Sequence, residues 1–320
     1  MITIANTIEE VSHQKGEIRA GGTDLQERLR SHVTDVEVVD ITRIAGLDKI
    51  ERASDGSVRI GALTKVAAVG RDEMIQNTYP VLALPAQILA NPQTREMATM
   101  GGVLCQRNRC WYYRHPDFSC YKKGGNTCPA REGVHSLGVI IDKGPCVFPH
   151  PTSVGLGLLT YDTEIEVTGR GRIPLAALYG DGTDPSSDNT LKSGEMLTHI
   201  HLPPNASKDK VAYLRMMTRT WAEWPIIEIA IRLIMDGDRI RDARVAVNAV
   251  ANIPMRMPNV EAVLAGNPVT DETLRAAADA SLEGLSPLPQ TEYKVELLRA
   301  SMYQALLNAK DNQGQGELVV

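Results

Sequence analysis

No uncharged apolar run in this 320-residue chain reaches the ~18 residues that crossing a bilayer requires, so no membrane association is expected. The opening MITIANTIEEVSHQ has no basic stretch followed by an apolar one. No secretory signal is read there, and a cytoplasmic setting is the expectation. Disulfides are disfavoured in such a reducing compartment. An excess of positive charge is also missing: the net charge is −5, which argues against a nucleic-acid binder. There is no internal repeat, no heptad pattern, no Ser-His-Asp arrangement and no HExxH motif. Aromatics are scarce at 4%, with only two phenylalanines.

The scarce residues are concentrated. All five cysteines lie between positions 105 and 146, four of them in CQRNRCWYYRHPDFSCYKKGGNTC (105–128). Six of the fourteen aromatics sit beside them: Trp111, Tyr112, Tyr113, Phe118, Tyr121 and Phe148. Local charge is reversed as well, with seven basic residues (Arg107, Arg109, Arg114, Lys122, Lys123, Arg131, Lys143) against Asp117, Glu132 and Asp142. Cys110, Cys120, Cys128 and Cys146 follow one another at intervals of 10, 8 and 18. Structural zinc usually takes its thiolates from C-x(2–4)-C pairs, and none of these intervals fits. A [4Fe-4S] cubane needs no such pairs. Its negative charge would be offset by the basic residues and by the N–H groups of Gly124 and Gly125, with the aromatics excluding water. Buried free thiols without metal are the alternative. Cys105, just after an apolar turn, reads as a packed thiol, and His115 and His135 as neighbours of the ligands rather than ligands.

At this length two or three domains are expected. GEIRAGGTDLQERLRSH reads as strand, glycine turn and amphipathic helix; VEVVDIT and SVRIGAL as strands; TKVAAVGRDE as a short helix with Thr64 as N-cap. PVLALPAQILANPQTREMATMGG begins as an apolar helix and ends in a Thr/Gly turn, and LGVIID reads as a short buried strand. PTSVGLGLLTYDTEIEVTGRGRIPL suggests helix, strand and hairpin. The polar run GDGTDPSSDNTLKSGE is the best linker candidate, with several strands and then helices beyond it. AGGTDL (20–25) and TMGG (99–102) are each either an anion-cradling turn or merely a tight one. The first is not the G-x-G-x-x-G dinucleotide pattern. Trp221 and Trp224, in TWAEWP, line a ligand face or pack on a sheet; Glu223 between them reads as a solvated loop carboxylate.

Taken together, AGGTDL, IGALT, TMGG leading into LCQRNRC, SGEMLTHIHLP, YLRMMTR and the helix containing EYK resemble the FAD-binding (medium) subunit of the xanthine dehydrogenase/molybdenum hydroxylase family. The resemblance covers essentially the whole chain. The cysteine insert resembles the variant with an extra [4Fe-4S] loop seen in 4-hydroxybenzoyl-CoA reductase and bacterial aldehyde oxidoreductases, in which the first ligand follows Q-x-x-R-C, here Gln106 to Cys110.

The resemblance implies an α+β chain. A two-part FAD-binding domain of the vanillyl-alcohol oxidase/molybdopterin dehydrogenase type (1–55 and 56–178, with the loop insert 105–147) would precede a C-terminal α/β unit at 190–310. It also implies an electron-transfer role with FAD and a [4Fe-4S] cluster on Cys110, Cys120, Cys128 and Cys146. Partners would be a large molybdopterin subunit, a small [2Fe-2S] subunit and an external carrier such as NAD or ferredoxin. Carried over by position, Ile18, Arg19, Ala20, Gly21, Gly22, Thr23, Asp24 and Leu25 would hold the FAD pyrophosphate, with Thr99, Gly101 and Gly102 cradling it from the second turn. Leu197 would sit against the flavin, and Arg215 falls where the family has a lysine near the isoalloxazine. The chain departs from the pattern at Val103 (for asparagine), at Ser153 in His150-Pro151-Thr152-Ser153 (for a flavin-contacting carboxylate) and at Asn248 (for glycine). Rival readings are a metal-stapled assembly subunit with a non-functional flavin site, and a stand-alone FAD oxidoreductase.

Overall fold

The computed structural model describes residues 1–205, 209–219 and 223–311. Three sheets organise them. A three-stranded parallel sheet, Ile2–Ile4, Val38–Asp40 and Glu17–Arg19 in spatial order, ends at the first glycine turn, from which the helix Leu25–Arg30 departs. A five-stranded antiparallel sheet follows, ordered Ile50–Arg52, Val58–Gly61, Leu197–Leu202, Glu164–Val167, Gly171–Pro174. A four-stranded antiparallel sheet, ordered Met255–Arg256, Arg239–Asn248, Ile227–Asp236, Lys210–Met216, forms the C-terminal unit with the helices Pro258–Leu264, Asp271–Ala280 and Tyr293–Lys310.

Period-two alternation gives the last sheet two different faces. Ile227, Ile229, Ile231 and Leu233 join the core beneath the C-terminal helices. Ala230 and, from the neighbouring strands, Val211, Tyr213 and Ala246 face the core of the N-terminal portion. The sheet is thus buried on both sides, and the polar residues of its inner face, Glu228 among them, must find partners there.

Several local expectations change. The helix Val66–Arg71 is preceded by Lys65 as N-cap without a side-chain bond, while Thr64 Oγ1 donates to Lys49 O at 3.2 Å instead. LGVIID forms no strand: it is buried, but it bonds irregularly, Val139 N to Val147 O and Ile140 N to Val250 O. TMGG is more than a turn, because Thr99 caps the helix Met100–Cys105 by accepting from Gly102 N at 3.2 Å. Leu197–Leu202, assigned from the sequence to the C-terminal unit, is the central strand of the five-stranded sheet. Leu197, Ile200 and Leu202 all join the core of that sheet, so the polar run before it is a connection inside the N-terminal portion rather than a linker between units.

Lys294, fully buried on the longest helix, ties the units together by donating to Gly138 O and Ala249 O. Burial pulls its ammonium down to about 7, against two carbonyls that favour the charged form. Lys294→Met leaves both carbonyls without this donor and is expected to cost about 2–4 kcal/mol, measurable by urea denaturation.

Candidate functional site

The first glycine turn opens one cavity. Ile18 to Leu25, Thr99, Gly101, Gly102 and Leu197 all line it. A Cβ on Gly21 would sit 2.0 Å from Met97 O, so the two turns touch and only glycine fits. Gly22 has φ +71°, the left-handed region. Among the described residues, the backbone N–H groups of Gly21, Gly22 and Thr23 donate to no carbonyl of the chain. Arg19 Nε is buried beside them without a partner, although the same guanidinium pairs with Asp40. Unused donors against a bare backbone suit a pyrophosphate. The second turn works differently: Gly101 N donates to Ala62 O and Gly102 N to Thr99 Oγ1, so it supplies close approach rather than free donors. Cys105, Gln106, Arg107 and the segment Asn189 to Met196 complete the wall. The sequence reading missed these wall residues, having used Gln106 only to locate Cys110 and the polar run only as a linker.

Cys110, Cys120, Cys128 and Cys146 line a second cavity with Tyr112, Tyr113, Tyr121 and Phe148. Trp111 and Phe118 stay exposed outside it, packing edge-on against Phe148 and Tyr112 respectively. The backbone amides of Tyr112 and Tyr113 near Cys110, of Lys122 and Lys123 near Cys120 and of Phe148 near Cys146 favour the thiolates and oppose part of the burial effect. Asn108 Nδ2 adds a 3.7 Å contact to Cys146 Sγ. The N–H groups of Gly124 and Gly125, expected to face a cluster, go instead to Tyr121 O and Cys120 O. Burial pushes the Cys110 thiol up to about 12 and Cys146 to about 11, so bare thiolates are disfavoured there. Among the described residues no three His, Cys, Asp or Glu converge tightly enough for a single metal ion. Cys105 stands apart on the flavin-side cavity, pushed up to about 12 by burial. His115 is exposed; His135 is buried, its Nδ1 within reach of Ala130 O and Gly133 O.

Ser153 and Arg215 do not line the first cavity. They meet at Glu228, fully buried, whose carboxylate accepts from Ser153 Oγ (2.6 Å), Tyr213 OH (2.6 Å) and Asn248 Nδ2 (3.0 Å) and pairs with Arg215 Nε (3.2 Å). Arg215 also donates to Glu223 O at 2.6 Å. The Glu223 carboxylate is held by Thr218 and Arg219, and Trp224 lies under Arg109, 4.3 Å from the ring centroid. Trp221 falls outside the described residues.

Residues 3–205 match the family described as the FAD binding domain in molybdopterin dehydrogenase, and residues 212–309 match the CO dehydrogenase flavoprotein C-terminal domain. The chain is an FAD-binding subunit of the xanthine dehydrogenase/CO dehydrogenase family. It is 29% identical to the aldehyde oxidoreductase FAD-binding subunit PaoB of Escherichia coli K12, over 91% of this chain and 90% of that one. It is 25% identical to the carbon monoxide dehydrogenase medium chain of Hydrogenophaga pseudoflava, over 91% and 87%. The solved structure of carbon monoxide dehydrogenase from the latter organism, lacking the Mo-pyranopterin moiety, has the same fold (TM-score 0.76, 22% identity, 97% of each chain). Such relatives are FAD subunits of oxidoreductases, and FAD binding follows from the matched family domain.

His150 is fully buried against Tyr179, with neither ring nitrogen partnered. Burial lowers its pKa to about 4. A neutral imidazole is therefore kept in the fold while the unfolded chain protonates near 6.5, so stability falls as pH drops from about 6.5 to about 4, by about 3 kcal/mol from this group. His150→Phe should flatten that part of the stability–pH curve, followed by thermal denaturation across the range.

Proposed function

We propose that this chain is the electron-transfer FAD subunit of a cytoplasmic, heteromeric molybdenum hydroxylase, and that it also carries a [4Fe-4S] cluster on Cys110, Cys120, Cys128 and Cys146. The observation that carries the reading is the second cavity, which four cysteines line together, with the Asn108 side-chain amide on Cys146 Sγ. Amides directed at sulfur stabilise thiolates and tune cluster potentials. A cubane also spreads its thiolates around an iron–sulfide core, wider than the tight tetrahedron of a single zinc ion.

Bound FAD would exchange one or two electrons and so join one-electron centres to a two-electron partner. The chain's own work is binding and exclusion of water. The N–H groups of Gly21 to Thr23 and the Arg19 side chain hold the pyrophosphate, Thr99 and Gly101 allow close approach, and Leu197 presents an apolar surface to the ring. By analogy with relatives named as medium chains, partners would be a large molybdopterin subunit, where substrate reacts, and a small [2Fe-2S] subunit. The cluster would give access to an external carrier such as ferredoxin or NAD.

Protein purified without air should contain equimolar iron and acid-labile sulfide together with a bleachable flavin. Zinc, or a colourless protein, would favour the metal-stapled assembly reading. Cys120→Ser should remove the iron while FAD stays, and Cys105→Ser should keep it; iron lost from Cys105→Ser alone overturns the ligand assignment.

A further inference from the structure

One buried carboxylate reaches towards both cavities. Asp188, in the polar run after the helix Leu175–Tyr179, is 5% exposed. It accepts from Lys122 Nζ at 2.9 Å and from the Asn108 backbone amide at 3.3 Å, with the Arg107 guanidinium 3.8 Å away. Each donor touches a cavity by its other parts. Lys122 lines the thiol cavity with Cys146, and its ammonium also donates to Ser187 O at 2.7 Å. Asn108 directs its side-chain amide to Cys146 Sγ and accepts the Cys110 amide on Oδ1 at 3.1 Å. Arg107 lines the flavin-side cavity, as does Asn189 next in sequence to Asp188.

A buried Lys–Asp pair is a poor source of net stability, because desolvation consumes most of the Coulomb gain. It does fix where the charges lie. Asp188 accepts from one ammonium and from the backbone of Asn108, whose side-chain amide meets Cys146 Sγ. A cluster held by four thiolates is anionic, and accepting one electron adds one more negative charge. A fixed positive charge and an N–H donor at one of its sulfurs therefore favour the reduced form.

We propose that the buried Asp188–Lys122 pair sets the reduction potential of the cluster, the ammonium and the Asn108 amide near Cys146 raising it and the Asp188 carboxylate lowering it. The inference rests on the [4Fe-4S] reading of the four cysteines. It predicts shifts of opposite sign from the two halves of one ion pair. Lys122→Gln removes the ammonium and leaves the carboxylate, moving the midpoint negative. Asp188→Asn removes the opposing charge and leaves the ammonium, moving it positive. Lys122→Arg keeps the charge and stays near wild type.

The measurement is a potentiometric titration of the holoprotein with dithionite and mediators, followed by electron paramagnetic resonance, with FAD content as a check on folding. Wild-type potentials in both charge-removing variants, or shifts of the same sign, overturn the proposal. Wild-type protein without iron and sulfide overturns the ligand reading instead, which keeps the two failures distinct. Should Asp188→Asn lose its iron, Asn108→Ala decides: a negative shift supports the proposal and an unchanged potential overturns it.

Discussion

The relation between the two cavities depends on the charge of Asp24. It stands at the start of the helix Leu25–Arg30, where an aspartate ordinarily caps, yet its side chain makes no capping bond. The carboxylate instead meets Arg114 at 2.6 Å, Arg109 at 3.1 Å and Arg28 at 3.2 Å. Burial alone would raise its pKa, but the three guanidiniums bring it below its usual value. Arg109 and Arg114 come from the cysteine segment, and Arg109 carries Trp224 of the C-terminal unit on its face. One anion thus draws together the first glycine turn, the cysteine segment and a loop of the third unit. The segment needs such ties, because between Gln106 and Cys146 it has only one short 3-10 turn and one short helix. Ion pairs of this kind contribute little net stability, but they penalise any other placement of the loop, since each guanidinium would be left buried without its partner.

Three departures from the family pattern, read singly, each look like a loss. Ser153 lacks a carboxylate, Arg215 replaces a lysine and Asn248 fills the place of a glycine. In the folded chain they share one acceptor, Glu228, on the face of the C-terminal sheet turned towards the FAD-binding portion. The serine is short enough to donate where a carboxylate would repel. Asn248 brings an amide donor across the sheet, and the arginine offsets the charge. A carboxylate with no solvent exposure is tolerable only when so surrounded. Ser153, Arg215 and Asn248 thus act as one set around Glu228.

Much of this was legible in the sequence, and the boundary of legibility has a physical origin. Glycines that allow backbone approach, and cysteines confined to one segment, are local signals: AGGTDL and the four spaced thiols could be read where they stand. The strand at Glu17–Arg19 was equally local. Glu228 was not, because an acid within IEIAIRLIMD looks like the solvated face of an alternating strand, and only the second layer makes it a buried hub. Leu197–Leu202 was misplaced for a similar reason: a polar run before a strand marks a linker or a long internal connection equally well, and the hydrogen-bond partners decide. The side-chain amide on sulfur came from Asn108 rather than from the glycines, whose N–H groups were consumed in closing their own turn.

The closeness of the two cavities follows from covalent geometry. Gln106 and Arg107 form part of the first wall, and Asn108 and Cys110 part of the second. A chain advances at most ~3.6 Å per residue, so the backbone positions of Arg107 and Cys110 lie within about 11 Å of each other in any conformation. The separation is set by the sequence interval itself and survives movement of the loop around it. What the fold adds is direction: the Thr99-capped helix Met100–Cys105 delivers Cys105 and Gln106 to the flavin side, and the Asn108 amide on Asp188 turns the chain so that Cys110 faces the other way. Cys105 and Cys110, five residues apart, therefore end on opposite sides of one wall. That makes Cys105 a packing residue of the flavin cavity and leaves the other four thiols to the second cavity.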